Sequence, residues 1–165
     1  MGDLDAQTIL VTGSTSGIGR AVARELAAAG AAIAIHGRRA EAAAELAAEI
    51  GSLPCGAVAG TFLADLATAE GCQQLTEAVQ RDCPTLDAVC LVAGADTLTG
   101  GTAKLAFEEK LQLLYDIDVR STLLLGRAFG RQLADRGGSI VTIGWDQADI
   151  GMAGDSGELF AAIKA

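Results

Sequence analysis

Five short apolar runs, Thr8 to Thr12, Ala31 to His36, Cys55 to Ala59, Ala88 to Ala93 and Ser139 to Ile143, are separated by stretches of helical periodicity, and this alternation constrains the chain more than any other feature. Runs with little polar alternation suit strands covered on both faces. Parallel strands need a long crossover, so the pattern predicts an α/β fold: a doubly wound parallel sheet with helices on both sides and right-handed connections. The first helix is expected over Gly17 to Ala29, with Val22, Leu26 and Ala29 facing inward and Gly30 ending it. The second is expected over Ala40 to Ile50 (Ala43, Leu46 and Ile50 inward) and the third over Thr68 to Asp82 (Cys72, Leu75 and Val79 inward). A long fourth helix is expected from about Thr102 to Asp135, with an apolar stripe of Leu111, Leu114, Leu125 and Phe129. A chain of 165 residues is long enough for one domain, expected to span residues 1–165.

Composition narrows the function classes. The net charge of −9 repels a phosphate backbone, so nucleic acid is not an expected partner and any bound anion must be held locally. Cys55, Cys72, Cys83 and Cys90 are irregularly spaced and accompanied by one His, which suggests neither a metal site nor a disulfide framework but buried reduced thiols. No run is long enough to span a bilayer and the start resembles no secretory signal, so no membrane association and a cytoplasmic location are expected. Glu41, Glu45 and Glu49 share a helical face expected to be solvated, and His36 is expected to be a polar strand terminus without a role.

The most informative segment is TILVTGSTSGIGRAVARELAAAG, in which a strand runs through Gly13-Ser14-Thr15-Ser16-Gly17-Ile18-Gly19 into a helix. Glycines let the backbone turn sharply and approach a pyrophosphate, whose charge is favoured by the free N–H groups of the helix start. Ser14, Thr15 and Ser16 add hydroxyls. A strand-to-helix turn without a ligand is the plainer alternative, but the strand before, the helix after and the β-α-β repeat beyond favour a ligand.

Residues 12 to 19 match the Thr-Gly-x-x-x-Gly-x-Gly pattern of the short-chain dehydrogenase/reductases, and the chain resembles that family over nearly its whole length. Asp65-Leu66 resembles the family's adenine-contacting pair, Ala93-Gly94 the second half of its Asn-Asn-Ala-Gly, and residues 137 to 144 its fifth strand. Bacterial β-ketoacyl carrier-protein reductases look nearest. The resemblance implies a Rossmann-type sheet of about five strands in the order 3-2-1-4-5, binding a nicotinamide cofactor. In IHGRR, Gly37 stands where an NAD-preferring relative has an acid, and Arg38 suits a 2′-phosphate, so NADP(H) is expected over NAD(H). Arg38 and Arg39 could instead merely offset the acidic helix that follows.

The family's Tyr-x-x-x-Lys aligns with Phe160-Ala-Ala-Ile-Lys164, which keeps the Lys and loses the proton donor. By this resemblance the family's Ser aligns with Trp145 or, alternatively, Gly144, and its Asn with Asp118. Independently of the resemblance, Asp118 falls within the apolar stripe of the fourth helix, so its carboxylate either needs a partner, with Lys164 the family-based candidate, or is exposed by a kink. The chain stops at GELFAAIKA, residues 157 to 165, where the family continues; the C-terminal part of the family fold is therefore expected to be missing. Two functions are expected: an NADP(H)-dependent oxidoreductase acting weakly on small carbonyl or alcohol substrates, or a noncatalytic nucleotide-binding relative or fragment of a longer reductase. Homo-oligomers are possible through the long helix or the open sheet edge.

Overall fold

The computed structural model describes residues 3–134 and 136–164. The elements run β1 (Thr8–Val11), α1 (Gly17–Ala28), β2 (Ala32–Gly37), α2 (Ala40–Gly51), β3 (Ala57–Leu63), α3 (Ala69–Asp82) and β4 (Ala88–Leu91). A 3-10 turn at Thr102–Lys104 leads to α4 (Phe107–Leu114), a π-helical turn (Tyr115–Arg120), α5 (Ser121–Ala134), β5 (Ser139–Thr142) and α6 (Asp155–Lys164). The five strands are parallel, in the order β3-β2-β1-β4-β5.

Both faces of the central strands β1, β2 and β4 are covered, with successive residues divided between them, whereas β5 is exposed along its length and β3 over most of it, unlike the expectation that all five runs are covered. Ile9, Val11, Ile33 and Ile35 pack with Ala23 and Ala27 of α1 and Leu46 and Ile50 of α2. Leu10, Ala34, Val89 and Leu91 face the other way, against Leu75 and Val79 of α3 and Leu125 and Phe129 of α5. The buried line of α1 is therefore Gly19, Ala23 and Ala27, not Val22, Leu26 and Ala29, which lie only partly buried beside it. Small side chains bring this helix close to β1 and β2. On α2 and α3 the expected inward residues are the buried ones.

Two elements depart from the sequence expectation. The third run continues to Leu63 instead of stopping at Ala59, because a register shift between Ile33 and Ala34 lets Gly60 pair opposite Ala34 and the ladder go on. The expected fourth helix is divided into four elements: Thr102–Lys104 is a separate turn, α4 starts only at Phe107, where Glu109 accepts the Ala106 N–H at 2.9 Å, and the π-turn separates α4 from α5. Its expected end at Asp135 lies outside the described residues. The π-turn adds a residue to the helical period. The buried line passes through Lys110, Leu114, Ile117, Ser121, Leu125, Phe129 and Leu133, while Leu111 is 41% exposed.

Polar details differ too. Glu49 is not simply solvated: it is 2.7 Å from Arg20 and 2.8 Å from Arg24, tying α2 to α1. Cys72, Cys83 and Cys90 are buried, but Cys55 is exposed. Among the described residues no helix is long and apolar enough to cross a membrane, and no cluster of three or more His, Cys, Asp or Glu could hold a metal ion.

Because Ala23 has no exposed surface between α1 and the sheet, Ala23→Leu should force the helix outward and lower the unfolding free energy by about 1–3 kcal/mol. Urea denaturation checks this; an unchanged midpoint would show that α1 does not sit closely on the strands.

Candidate functional site

The carboxyl ends of β1, β2 and β4 surround a cleft of about 530 Å³. Open parallel sheets present such a crevice where the strand order reverses, here between β1 and β4. Gly13, Thr15, Ser16, Gly17, Ile18 and Gly19 form one wall; Gly37 and Arg38 sit at one end, and Ala93, Gly94 and Lys164 lie toward the other. Gly13 has φ 65°, a left-handed conformation that favours glycine. Ser16 makes no side-chain cap on α1, and the first turn of α1 carries no acid. The first N–H groups of that helix, which have no intrahelical acceptor, are thus left for an anion.

Not every residue expected at this wall reaches it. The Ser14 hydroxyl is buried away from the cleft, donating to His36 O at 3.2 Å and accepting from His36 N–H at 3.0 Å. The Asp65 side chain does not line the cleft; its Oδ1 accepts the Ala67 N–H at 3.0 Å and shapes the turn ahead of α3, while Leu66 does line it. Gly37 has a role beyond lacking an acid: a Cβ there would lie 2.4 Å from Thr15 Cγ2. Thr15 as placed leaves no room for any side chain at that position.

His36 is the residue that sequence reasoning missed. Its ring is 2% exposed, with Nδ1 accepting the Gly13 N–H at 3.1 Å and Nε2 3.2 Å from the Ala64 carbonyl. A carbonyl only accepts, so the proton belongs on Nε2. Burial pushes the imidazole down from 6.5 to about 4; the Ala64 hydrogen bond and Asp65 oppose this, and Arg38 adds to it. The available signal was a polar residue in an otherwise apolar strand, which has to find hydrogen-bond partners.

At the other end, Lys164 Nζ donates to Asp118 Oδ1, whose second oxygen accepts the Ala95 N–H at 3.0 Å. The Asp118 side chain is only 3% exposed. Of the two expectations the partner is the one found: Asp118, within the π-turn, is buried against Lys164 and not exposed. A smaller cavity of about 210 Å³, lined by Asp118, Thr122, Thr142 and Lys164 among others, lies beside the pair. Phe160 and Trp145 line neither cavity; their rings pack on each other, centroids 6.0 Å apart and tilted by 54°.

The family model for short chain dehydrogenase matches residues 7–162. The chain belongs to that family. A D-threitol dehydrogenase of Mycolicibacterium smegmatis is 36% identical over 143 residues, 84% of this chain and 52% of that protein. A short chain dehydrogenase of Burkholderia cenocepacia, solved in complex with NADP, superposes with a TM-score of 0.81 at 32% identity, over 98% of this chain and 64% of that one. A gluconate 5-dehydrogenase of the same species, solved with NADP and tartrate, gives 0.80 at 27% identity, over 98% and 61%. The chain spans 29% to 56% of the length of the curated relatives it matches.

The lowered His36 pKa has a defined effect on stability. The unfolded chain takes up a proton near pH 6.5 and the folded chain only near pH 4, so stability is fully present above 6.5 and lost as pH falls between the two values. The shift corresponds to about 3 kcal/mol. Urea unfolding should show the stability advantage of wild type over His36→Asn shrinking by about that amount from neutral pH to pH 4; an advantage independent of pH would contradict a buried neutral imidazole.

Proposed function

We propose that residues 1–165 form one dinucleotide-binding domain that holds NADP(H), in an oxidoreductase acting weakly on carbonyl or alcohol groups. The observation that carries the cofactor choice is at the end of β2. Arg38 lines the cleft, and among the described residues neither Arg38 nor Arg39 makes an ion pair with the acidic row of α2, where Glu49 is held by Arg20 and Arg24. The guanidinium is thus available to a 2′-phosphate. Thr15 packed against Gly37 leaves no space for the acid that would hold a 2′-hydroxyl in its place. The bound NADP of the Burkholderia cenocepacia relative supports the same choice.

The residues fit the remainder of such a cofactor. Uncapped amides of α1 and the Thr15 and Ser16 hydroxyls suit the pyrophosphate, Leu66 suits the adenine, and Ala93 and Gly94 leave an open floor toward Lys164. When bound, the nicotinamide supplies or accepts hydride. This chain's own part is positioning: Lys164, held by Asp118, faces both the main cleft and the smaller cavity.

What the reacting end lacks is the family's Tyr as proton donor, leaving Lys164 and Asp118 as its only candidate catalytic groups among the described residues. Phe160 has no proton to give where the family places its Tyr, and Trp145 cannot orient a carbonyl as a Ser hydroxyl does. General acid catalysis supplies about two to four orders of magnitude in rate. Hydride transfer by proximity alone remains open to such a site. The packing of Phe160 on Trp145, outside both cavities, favours a second reading in which the chain binds nucleotide without turnover.

Calorimetric titration with NADPH and NADH tests the cofactor choice. Wild type should bind NADPH more tightly, and Arg38→Ala should weaken NADPH by about tenfold to a hundredfold, the value of charge-assisted hydrogen bonds, while changing NADH little. Equal affinities in wild type, untouched by the substitution, would refute the choice.

A further inference from the structure

His36 joins three segments of the cofactor cleft through one ring. Its main chain is the last-but-one residue of β2, directly before Gly37; its Nδ1 takes the N–H of Gly13 at the start of the phosphate turn, and its Nε2–H holds the Ala64 carbonyl just ahead of Leu66. Ser14 reinforces the first link, donating its N–H to the His36 carbonyl at 2.9 Å. Each arm reaches a different part of the wall. The Nδ1 arm fixes the peptide from which the turn through Gly19 departs, where a pyrophosphate would lie; the Nε2 arm fixes the segment on which an adenine would rest.

We propose that His36 is the positioning residue of this cleft, orienting the phosphate turn through Nδ1 and the adenine wall through Nε2–H. The inference rests on the NADP(H)-binding reading. It requires a neutral imidazole in a single tautomer, because a proton on Nδ1 would set two donors against each other at Gly13. The charged groups facing the ring are Arg38 on the β2 side and Asp65 beyond β3, and they act in opposite directions.

Two substitutions separate the arms. Asn places a carbonyl where Nδ1 stands but is too short to reach Ala64; Gln reaches Ala64 with its amide but leaves the Gly13 N–H without an acceptor. Three probes report on the two walls: NADPH, ADP, and adenosine 2′-monophosphate, which lacks the pyrophosphate. His36→Gln should weaken NADPH and ADP by about tenfold, as expected for a lost buried hydrogen bond, and leave adenosine 2′-monophosphate nearly unchanged. His36→Asn should weaken adenosine 2′-monophosphate by about as much, and ADP less than His36→Gln does. If both variants lose all three ligands alike, or lose none, while wild type binds NADPH, His36 is not positioning the site. Wild type that binds no NADPH overturns the cofactor reading and this inference with it. Nitrogen-15 spectra of unliganded wild type give a check independent of any variant's folding: a neutral Nε2–H imidazole with an unprotonated Nδ1 supports the proposal, and the other tautomer or a charged ring at neutral pH overturns it.

Discussion

Where β1 leaves the sheet, the Thr12 hydroxyl accepts the N–H groups of Val92 and Ala93 at 3.0 and 3.1 Å, and the Thr12 N–H donates to the Cys90 carbonyl at 2.9 Å. These bonds extend the β1–β4 pairing past its last ladder residues, at the position where strand order reverses. The phosphate turn grows from one side of this junction and Ala93-Gly94 from the other, so the width of the cleft is set here. Thr12 is 1% exposed, which keeps these bonds from competition with water. His36 performs a similar task across the β1–β2 side, and the two together hold the turn from both flanks.

The two ends of the cleft differ in chemistry. Around Gly13 to Gly19 and Arg38 the wall offers backbone amides, hydroxyls and a cation, all suited to phosphate and placed in a chain whose net charge is strongly negative. Around Lys164 the cation is already paired with Asp118, and the neighbouring Phe160 and Trp145 are turned toward each other. A direct carboxylate–ammonium contact offsets the charge on Lys164, which weakens its capacity to favour an anion on a neighbouring group. The groups suited to phosphate thus gather at one end of the cleft and the Lys164–Asp118 pair at the other.

Much of the fold was legible because it is written in period and punctuation. Continuous apolar runs located β1, β2, β4 and β5 to within a residue or two, and Gly30 marked the limit of the first helix, which buries one face. β3 runs on past its expected end because Ala59 is an extra residue of β3 between the Ile33–Val58 and Ala34–Gly60 pairs, and the ladder resumes beyond this bulge. The π-turn was invisible because one extra residue in a helix leaves no mark on a pattern of leucines, and Leu111, expected in the apolar stripe, is exposed. At the site, spacing located the turn and Arg38, but partners cannot be read from spacing. Ser14 looked like a phosphate ligand and His36 like a bystander until their hydrogen bonds to each other and to Gly13 were visible.

A dinucleotide in the cleft between β1, β2 and β4 would lie against the phosphate turn. Amide shift mapping of the isotopically labelled protein during NADPH titration tests this placement most directly. The largest changes should fall on the N–H groups of Thr15 to Gly19, with Arg38, Leu66 and Ala93 to Ala95 moving in parallel. Shifts confined to other surfaces, or none at millimolar NADPH, would contradict it.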